Sequence, residues 1–163
     1  MSKQEVFEKL DNLGINYRAI EHEPVFCDDD IKRLVPVDEN TVVVKNLFLR
    51  DSEGKKLFLL VMRYFKRADL VSLRAFLKTS KLGFCSEKRL MDNLKVTPGS
   101  VSPLCAMNDE AGKVRIIFDS CLKNYPIICM HPNDNTGSVY ISFEDLVKFI
   151  QSTSHRITYF DMD

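Results

Sequence analysis

Residues 41–63 carry three segments in a row: Thr41-Val42-Val43-Val44-Lys45-Asn46-Leu47-Phe48-Leu49-Arg50, then Asp51-Ser52-Glu53-Gly54-Lys55, then Lys56-Leu57-Phe58-Leu59-Leu60-Val61-Met62-Arg63. The outer two are rich in β-branched and aromatic residues, and the middle one is made of turn formers. They predict a hairpin of two largely buried strands, Thr41 to Arg50 and Lys56 to Arg63. Strand alternation places Lys45 on the same face as Val43, Leu47 and Leu49. A charge on such a face needs a reason, because an unpaired buried ammonium costs several kcal/mol in desolvation. It has an acidic partner, reaches the sheet edge, or borders a polar cleft.

Outward from the hairpin, the pattern alternates between helix and strand. On the N-terminal side, Ser2-Lys3-Gln4-Glu5 fits a capping box for a short helix with Val6, Phe7, Leu10 and Leu13 at helical spacing and Gly14 as terminator. Ile15 to Ile20 reads as a strand, and Asp28-Asp29-Asp30 as the acidic start of another short helix. On the C-terminal side, Asp69 and Ser86 cap two further helices, with a short strand between them within Lys81 to Cys85. Val114 to Asp119, Pro126 to His131, Ser138 to Ile141 and His155 to Phe160 read as strands, and Ser142 to Ser152 as a capped helix. The expectation is one α/β (α+β) domain over residues 1–163, a mixed, mostly antiparallel sheet with helices packed on it.

Composition narrows the function classes. No stretch approaches the roughly 20 apolar residues needed to span a bilayer, and the N-terminus lacks the apolar core of a secretory signal, so a cytoplasmic protein is expected. Five cysteines without Cys-x-x-Cys spacing suggest neither a disulfide framework nor a zinc site. The formal net charge of zero argues against holding long nucleic acid by bulk electrostatics. The charge is nevertheless uneven: residues 50–95 hold 12 Lys and Arg against 5 Asp and Glu, leaving 11 against 18 elsewhere. Such a distribution fits either a polarised surface or solvated faces on helices and turns.

Two loops join Lys45 as candidates. Val96 to Pro103 contains too many turn formers for a helix, and its prolines deny it the donors of a central strand. Within it, Gly99 allows close backbone approach, and the neighbouring amides and the hydroxyls of Ser100 and Ser102 suit a carbonyl or phosphate. Donors held this way stabilise an oxyanion, although an ordinary tight connection has the same composition. His131-Pro132-Asn133-Asp134-Asn135-Thr136-Gly137 is either a capped loop or a ligand-binding rim. His22 and His155 read as surface or packing residues, and the dispersed histidines give no case for a metal. No Gly-x-Ser-x-Gly elbow supports a serine hydrolase.

Lys45-Asn46-Leu47-Phe48-Leu49, the Val96-to-Pro103 loop and His131-Pro132-Asn133-Asp134-Asn135-Thr136 recur in this order in one family. Through them the chain resembles the free-standing prolyl-tRNA editing domains of the YbaK/ProX type, of the kind that removes alanine. The resemblance implies a cleft for the aminoacylated 3′ end of a transfer RNA, lined by Lys45, the Gly99-Ser100 loop and His131. Ester hydrolysis without cofactor or metal follows, with Lys45, Gly99, Ser100 and His131 as catalytic residues. Substrate contacts fall to Asn46, Ser102, Pro103, Asn133, Asn135 and Thr136. The implied partners are a mischarged tRNA and prolyl-tRNA synthetase. Cys27 and Val44 stand where the family usually has threonine, two departures that bear on the amino-acid pocket. The alternatives are a deacylase for cysteinyl- or seryl-tRNA and a non-catalytic binding module.

Overall fold

A computed structural model describes residues 3–163, so the expected Ser2 cap lies outside the described residues. In chain order the elements are α1 (Lys3–Asn12), β1 (Tyr17–Glu21), α2 (Asp28–Leu34), β2 (Thr41–Arg50), β3 (Leu57–Arg63), α3 (Leu70–Leu77), β4 (Gly83–Phe84) and α4 (Glu87–Leu94). There follow a 3₁₀ turn over Pro103–Asn108, β5 (Val114–Asp119), a second 3₁₀ turn over Ser120–Asn124, β6 (Ile127–Met130), β7 (Gly137–Ser142), α5 (Phe143–Ser152) and β8 (Ile157–Phe160).

The hairpin expected from residues 41–63 is present, with β2 antiparallel to β3 from Val44 against Arg63 to Arg50 against Leu57. Asp51 sets its turn: the nearly buried carboxylate accepts from the amides of Lys55 (2.8 Å) and Lys56 (3.1 Å). Gly54 takes a positive φ of 71°, which a side chain would resist. The expected caps are also made. Asp69 accepts from Ser72 N at 3.0 Å, Ser86 from Arg89 N at 3.2 Å and Ser142 from Asp145 N at 3.1 Å, each filling an otherwise unpaired donor of a first helical turn.

The eight strands form one sheet in the order β1-β7-β6-β2-β3-β5-β8, with β4 added on β2. Four pairings are antiparallel and three, β2 with β6, β3 with β5 and β5 with β8, are parallel. The sheet is therefore mixed, with a smaller antiparallel majority than hairpin-linked strands suggested. Both faces are covered. Val42, Val44 and Phe48 of β2 join Leu59, Val61, Ile116 and Phe118 in the main core, against α1, α4 and α5. Leu49 packs on the opposite face with Phe58, Leu60 and Met62 under Leu73 and Leu77 of α3. Val43 joins a third cluster, in which Ile31 of α2 covers Cys129 and Tyr140. Lys45 lies between the last two clusters, where neither helix closes over the strand.

Candidate functional site

A gap in the sheet creates the site. β6 pairs with β2 only at residues 41–43 and β4 only at 49–50. β3 takes the other edge of β2 throughout, helped by a bond from Tyr64 N to Val43 O at 2.8 Å. Residues 44–47 therefore have no strand paired with them on the first edge among the described residues. Asn46 donates to the carbonyl of Val101 at 3.0 Å, tying the 96–103 loop to β2. Asn133 accepts from the Cys105 thiol at 3.1 Å, tying the 131–137 loop to the turn that follows. A Cβ placed on Gly99, whose φ is 86°, would stand 3.8 Å from Asn135 Nδ2. Asn46, Asn133 and Asn135 are thus each set against a different residue of segment 99–105.

Two buried atoms there are left unpaired, Oδ1 of Asn46 and Nδ2 of Asn133. One is an acceptor and the other a donor, and unpaired buried polar atoms are uncommon enough to demand a reason. Within the 96–103 loop, Ser100 N donates to Thr97 O at 3.1 Å, so this amide is already engaged in the turn. Among the described residues the amides of Gly99 and Val101 have no such backbone acceptor. Ser102 and Pro103, expected as substrate contacts, are both buried. Ser102 is fully buried with its hydroxyl accepting from Leu104 N, and Pro103 opens the 3₁₀ turn. Serine followed by proline is a helix-start signal, legible in the sequence but masked by the turn formers before it.

Thr136 is also engaged: its amide bonds Asp134 at 2.7 Å and its hydroxyl accepts from Lys3 at 3.0 Å. Burial alone would raise the Asp134 carboxyl, but the Thr136 bonds, with Lys3 and His131 nearby, hold it below the usual carboxylate range.

His131 follows the end of β6. The last paired position of the two strands is Val43 with Cys129, so His131 lies two residues beyond the end of that pairing. Nδ1 of His131 lies 3.2 Å from Gly137 O, which can only accept, so Nδ1 carries the proton and Nε2 has its lone pair free. Burial pushes the imidazole down from its ordinary value, against the Gly137 bond, and His22 adds to the lowering. His22 packs beside this loop: its Nε2 bonds Ser138 Oγ at 2.8 Å, a partner 116 residues away that no local pattern reveals.

A depressed pKa means that the unfolded chain binds the proton more readily. His131 therefore contributes stability above the ordinary imidazole value of 6.5, lost as pH falls through its lower folded value. Melting temperature should decline on that acid limb, and His131→Asn should flatten the decline. An unchanged limb in the variant would assign the titration elsewhere.

Among the described residues no hydrogen bond or ion pair joins Lys45 to either loop. Its side chain lines a depression of about 340 Å³ with Asp28, Tyr64, Phe65, Lys66 and Arg67. Burial lowers its pKa, partly countered by the Asp28 carboxylate, yet no ion pair within 4.0 Å joins Lys45 among the described residues. Tyr64 is raised by burial and by the same Asp28. Asp28 and Tyr64 were not singled out from sequence, since an acidic helix start signals only a cap.

A larger cavity of about 700 Å³ lies at the opposite ends of β2 and β6, beside Thr41, Ile127 and Tyr140, and holds none of the expected residues. Cys105 has its thiol pushed up to about 12 by burial, which keeps it protonated and unsuited to attack. Among the described residues no three His, Cys, Asp or Glu side chains gather as metal ligands.

Comparison with known proteins bears on the family and the fold. The family model for the aminoacyl-tRNA editing domain matches residues 22–149. The prolyl-tRNA editing protein ProX of Acetoanaerobium sticklandii is 40% identical over 94% of this chain and 93% of its own length. The prolyl-tRNA synthetase associated domain-containing protein 1 of Danio rerio is 31% identical over 94% of this chain and 83% of its own. A crystal structure provisionally described as a trans-editing enzyme for prolyl tRNA synthetase shares the fold, with a TM-score of 0.74, 14% identity and coverage of 100% of this chain and 99% of that one. The match over residues 22–149 spans both loops and the lysine-bearing strand, and with it this chain belongs to the aminoacyl-tRNA editing domain family.

Proposed function

We propose that this protein hydrolyses the ester of mischarged prolyl tRNA, with alanyl-tRNA specific for proline as its substrate. The observation that carries the reading is Lys45: a partly desolvated ammonium that, among the described residues, has no ion-pair partner within 4.0 Å and lines an open depression with Asp28 and Tyr64 on a stretch of β2 that lacks a neighbouring strand on one edge. A cation so placed suits the terminal phosphate or ribose of a tRNA.

In this mechanism Lys45 fixes the nucleotide end, and the amides of Gly99 and Val101 face the carbonyl oxygen as negative charge develops on it. The buried Asn133 Nδ2 and Asn46 Oδ1 supply a donor and an acceptor to an aminoacyl group that presents both kinds of partner. His131, neutral with Nε2 unprotonated, shapes the pocket and accepts a hydrogen bond from water or hydroxyl. Ser100, Ser102 and Pro103 act by shaping the loop, while Asn135 and Thr136 hold the opposite rim. No protein nucleophile is required, because an aminoacyl ester is already activated and positioned water with oxyanion stabilisation supplies the acceleration.

Alanine would be distinguished from proline by size. A methylene or two yields only roughly 10- to 200-fold selectivity in a binding pocket, so a separate site that admits the smaller side chain adds what the synthetase lacks. The relatives' names make prolyl-tRNA synthetase the natural docking partner.

A panel of proline tRNAs charged with alanine, serine, cysteine or proline tests the reading. Alanine should be released fastest and proline retained. Release of serine or cysteine with alanine retained would overturn the substrate but keep the reaction class, and release of none would leave a binding module.

A further inference from the structure

Phe65 is an exposed aromatic that lines the Lys45 depression itself. It follows β3, remains 57% exposed, and borders three adjoining depressions: the one that holds Lys45, one with Ile31 and Lys32, and one with Val43 and Arg63. Single exposed aromatics are ordinary on protein surfaces. This one is braced and surrounded by cations. The Tyr64 ring meets it edge-on at 5.1 Å, the Lys32 ammonium stands 5.5 Å from its centroid, and Lys66 and Arg67 share its depression.

The same turn already holds an oxyanion. Arg63 and Lys66 converge on one carboxylate oxygen of Asp163, with Arg63 Nη2 at 2.7 Å. Two cations meeting at one anionic oxygen is an arrangement a phosphate can use by exchange.

We propose that Phe65, with Lys32, Lys66 and Arg67, forms a subsite for the unpaired nucleotides that precede the aminoacylated terminus. One base stacks on the Phe65 ring, and the linking phosphates lie on the surrounding cations. The subsite rests on the deacylase reading, since it places the nucleotide path along the wall of the Lys45 depression. Stacking on an aromatic face tolerates any base, while cations that track the backbone give salt-dependent affinity.

The test uses an uncharged RNA hairpin with a single-stranded 3′ end carrying a fluorescent purine, so that binding is read without hydrolysis. Phe65→Ala should weaken binding roughly 5- to 150-fold and remove the stacking-induced quench, while Phe65→Trp retains both. Lys66→Ala should lower the slope of log affinity against log salt by about 0.7, the loss of one single-strand phosphate contact. Asp163→Asn, which removes the carboxylate shared by Arg63 and Lys66 while Arg63 keeps Asp119, should tighten binding at low salt. Wild-type affinity and quench in Phe65→Ala, with hydrolysis of charged tRNA intact, would overturn the subsite and leave the deacylase reading standing. A Phe65-dependent quench in a protein that releases no amino acid from any charged tRNA would support the subsite and remove the deacylase reading.

Discussion

Lys45→Ala is expected to slow single-turnover deacylation roughly 100-fold, about 2.7 kcal/mol of transition-state stabilisation, while leaving the melting temperature unchanged or slightly raised. The size is that of one well-placed electrostatic contact in a partly desolvated site. Stability should hold because no carboxylate depends on this ammonium: among the described residues it has no ion pair within 4.0 Å, and Asp28 acts on it only at longer range. Burial already disfavours its charged form, so removing the side chain relieves a cost of folding. A large fall in melting temperature with near-normal activity in the folded fraction would show Lys45 to be structural and would take it out of the site.

Asp109→Ala should do the reverse. This 4% exposed carboxylate accepts from Lys113 N at 3.1 Å and Val114 N at 2.7 Å, and its Oδ2 lies 2.8 Å from His155 Nε2. Truncation strands two backbone donors and a buried imidazole together. At the lower end of the 1–3 kcal/mol expected for each of the three unsatisfied buried groups, about 3–5 kcal/mol of stability should be lost, or roughly 10 °C in melting temperature. Rates measured on the folded fraction below the transition should stay near wild type, because Asp109 lies with the start of β5 and away from the sheet gap. A variant that melts normally but loses activity would contradict this division between scaffold and site.

How far the sequence could be read depends on the range of the interactions concerned. The hairpin over residues 41–63 and the caps at Asp69, Ser86 and Ser142 were legible, because each is decided within a few residues. The parallel pairing of Thr41 with Ile127 was not, since strand partners so far apart leave no local mark. That pairing opens the gap beside Lys45, so the sequence exposed the anomaly of the residue but not its surroundings. His22 and His155 show the same limit from opposite sides. His155 is a packing residue as expected, though its partner Asp109 is 46 residues away, whereas His22 was set aside because Ser138 lies out of sight. Ser102 shows the limit in another way: the sequence of a polar loop does not separate a serine that caps a turn from one that meets a ligand, and the structure shows the cap.

The central claim is that water attacks the aminoacyl ester carbonyl without a covalent enzyme intermediate. Hydrolysis of alanyl-tRNA specific for proline in heavy-oxygen water, under single turnover with enzyme in excess, tests it most directly. The label should enter the carboxylate of the released alanine at the first turnover, with the tRNA recovered unlabelled and no alanine bound to protein after acid quench. Alanine that stays on the tRNA, or that is trapped on the protein before label appears, would contradict it.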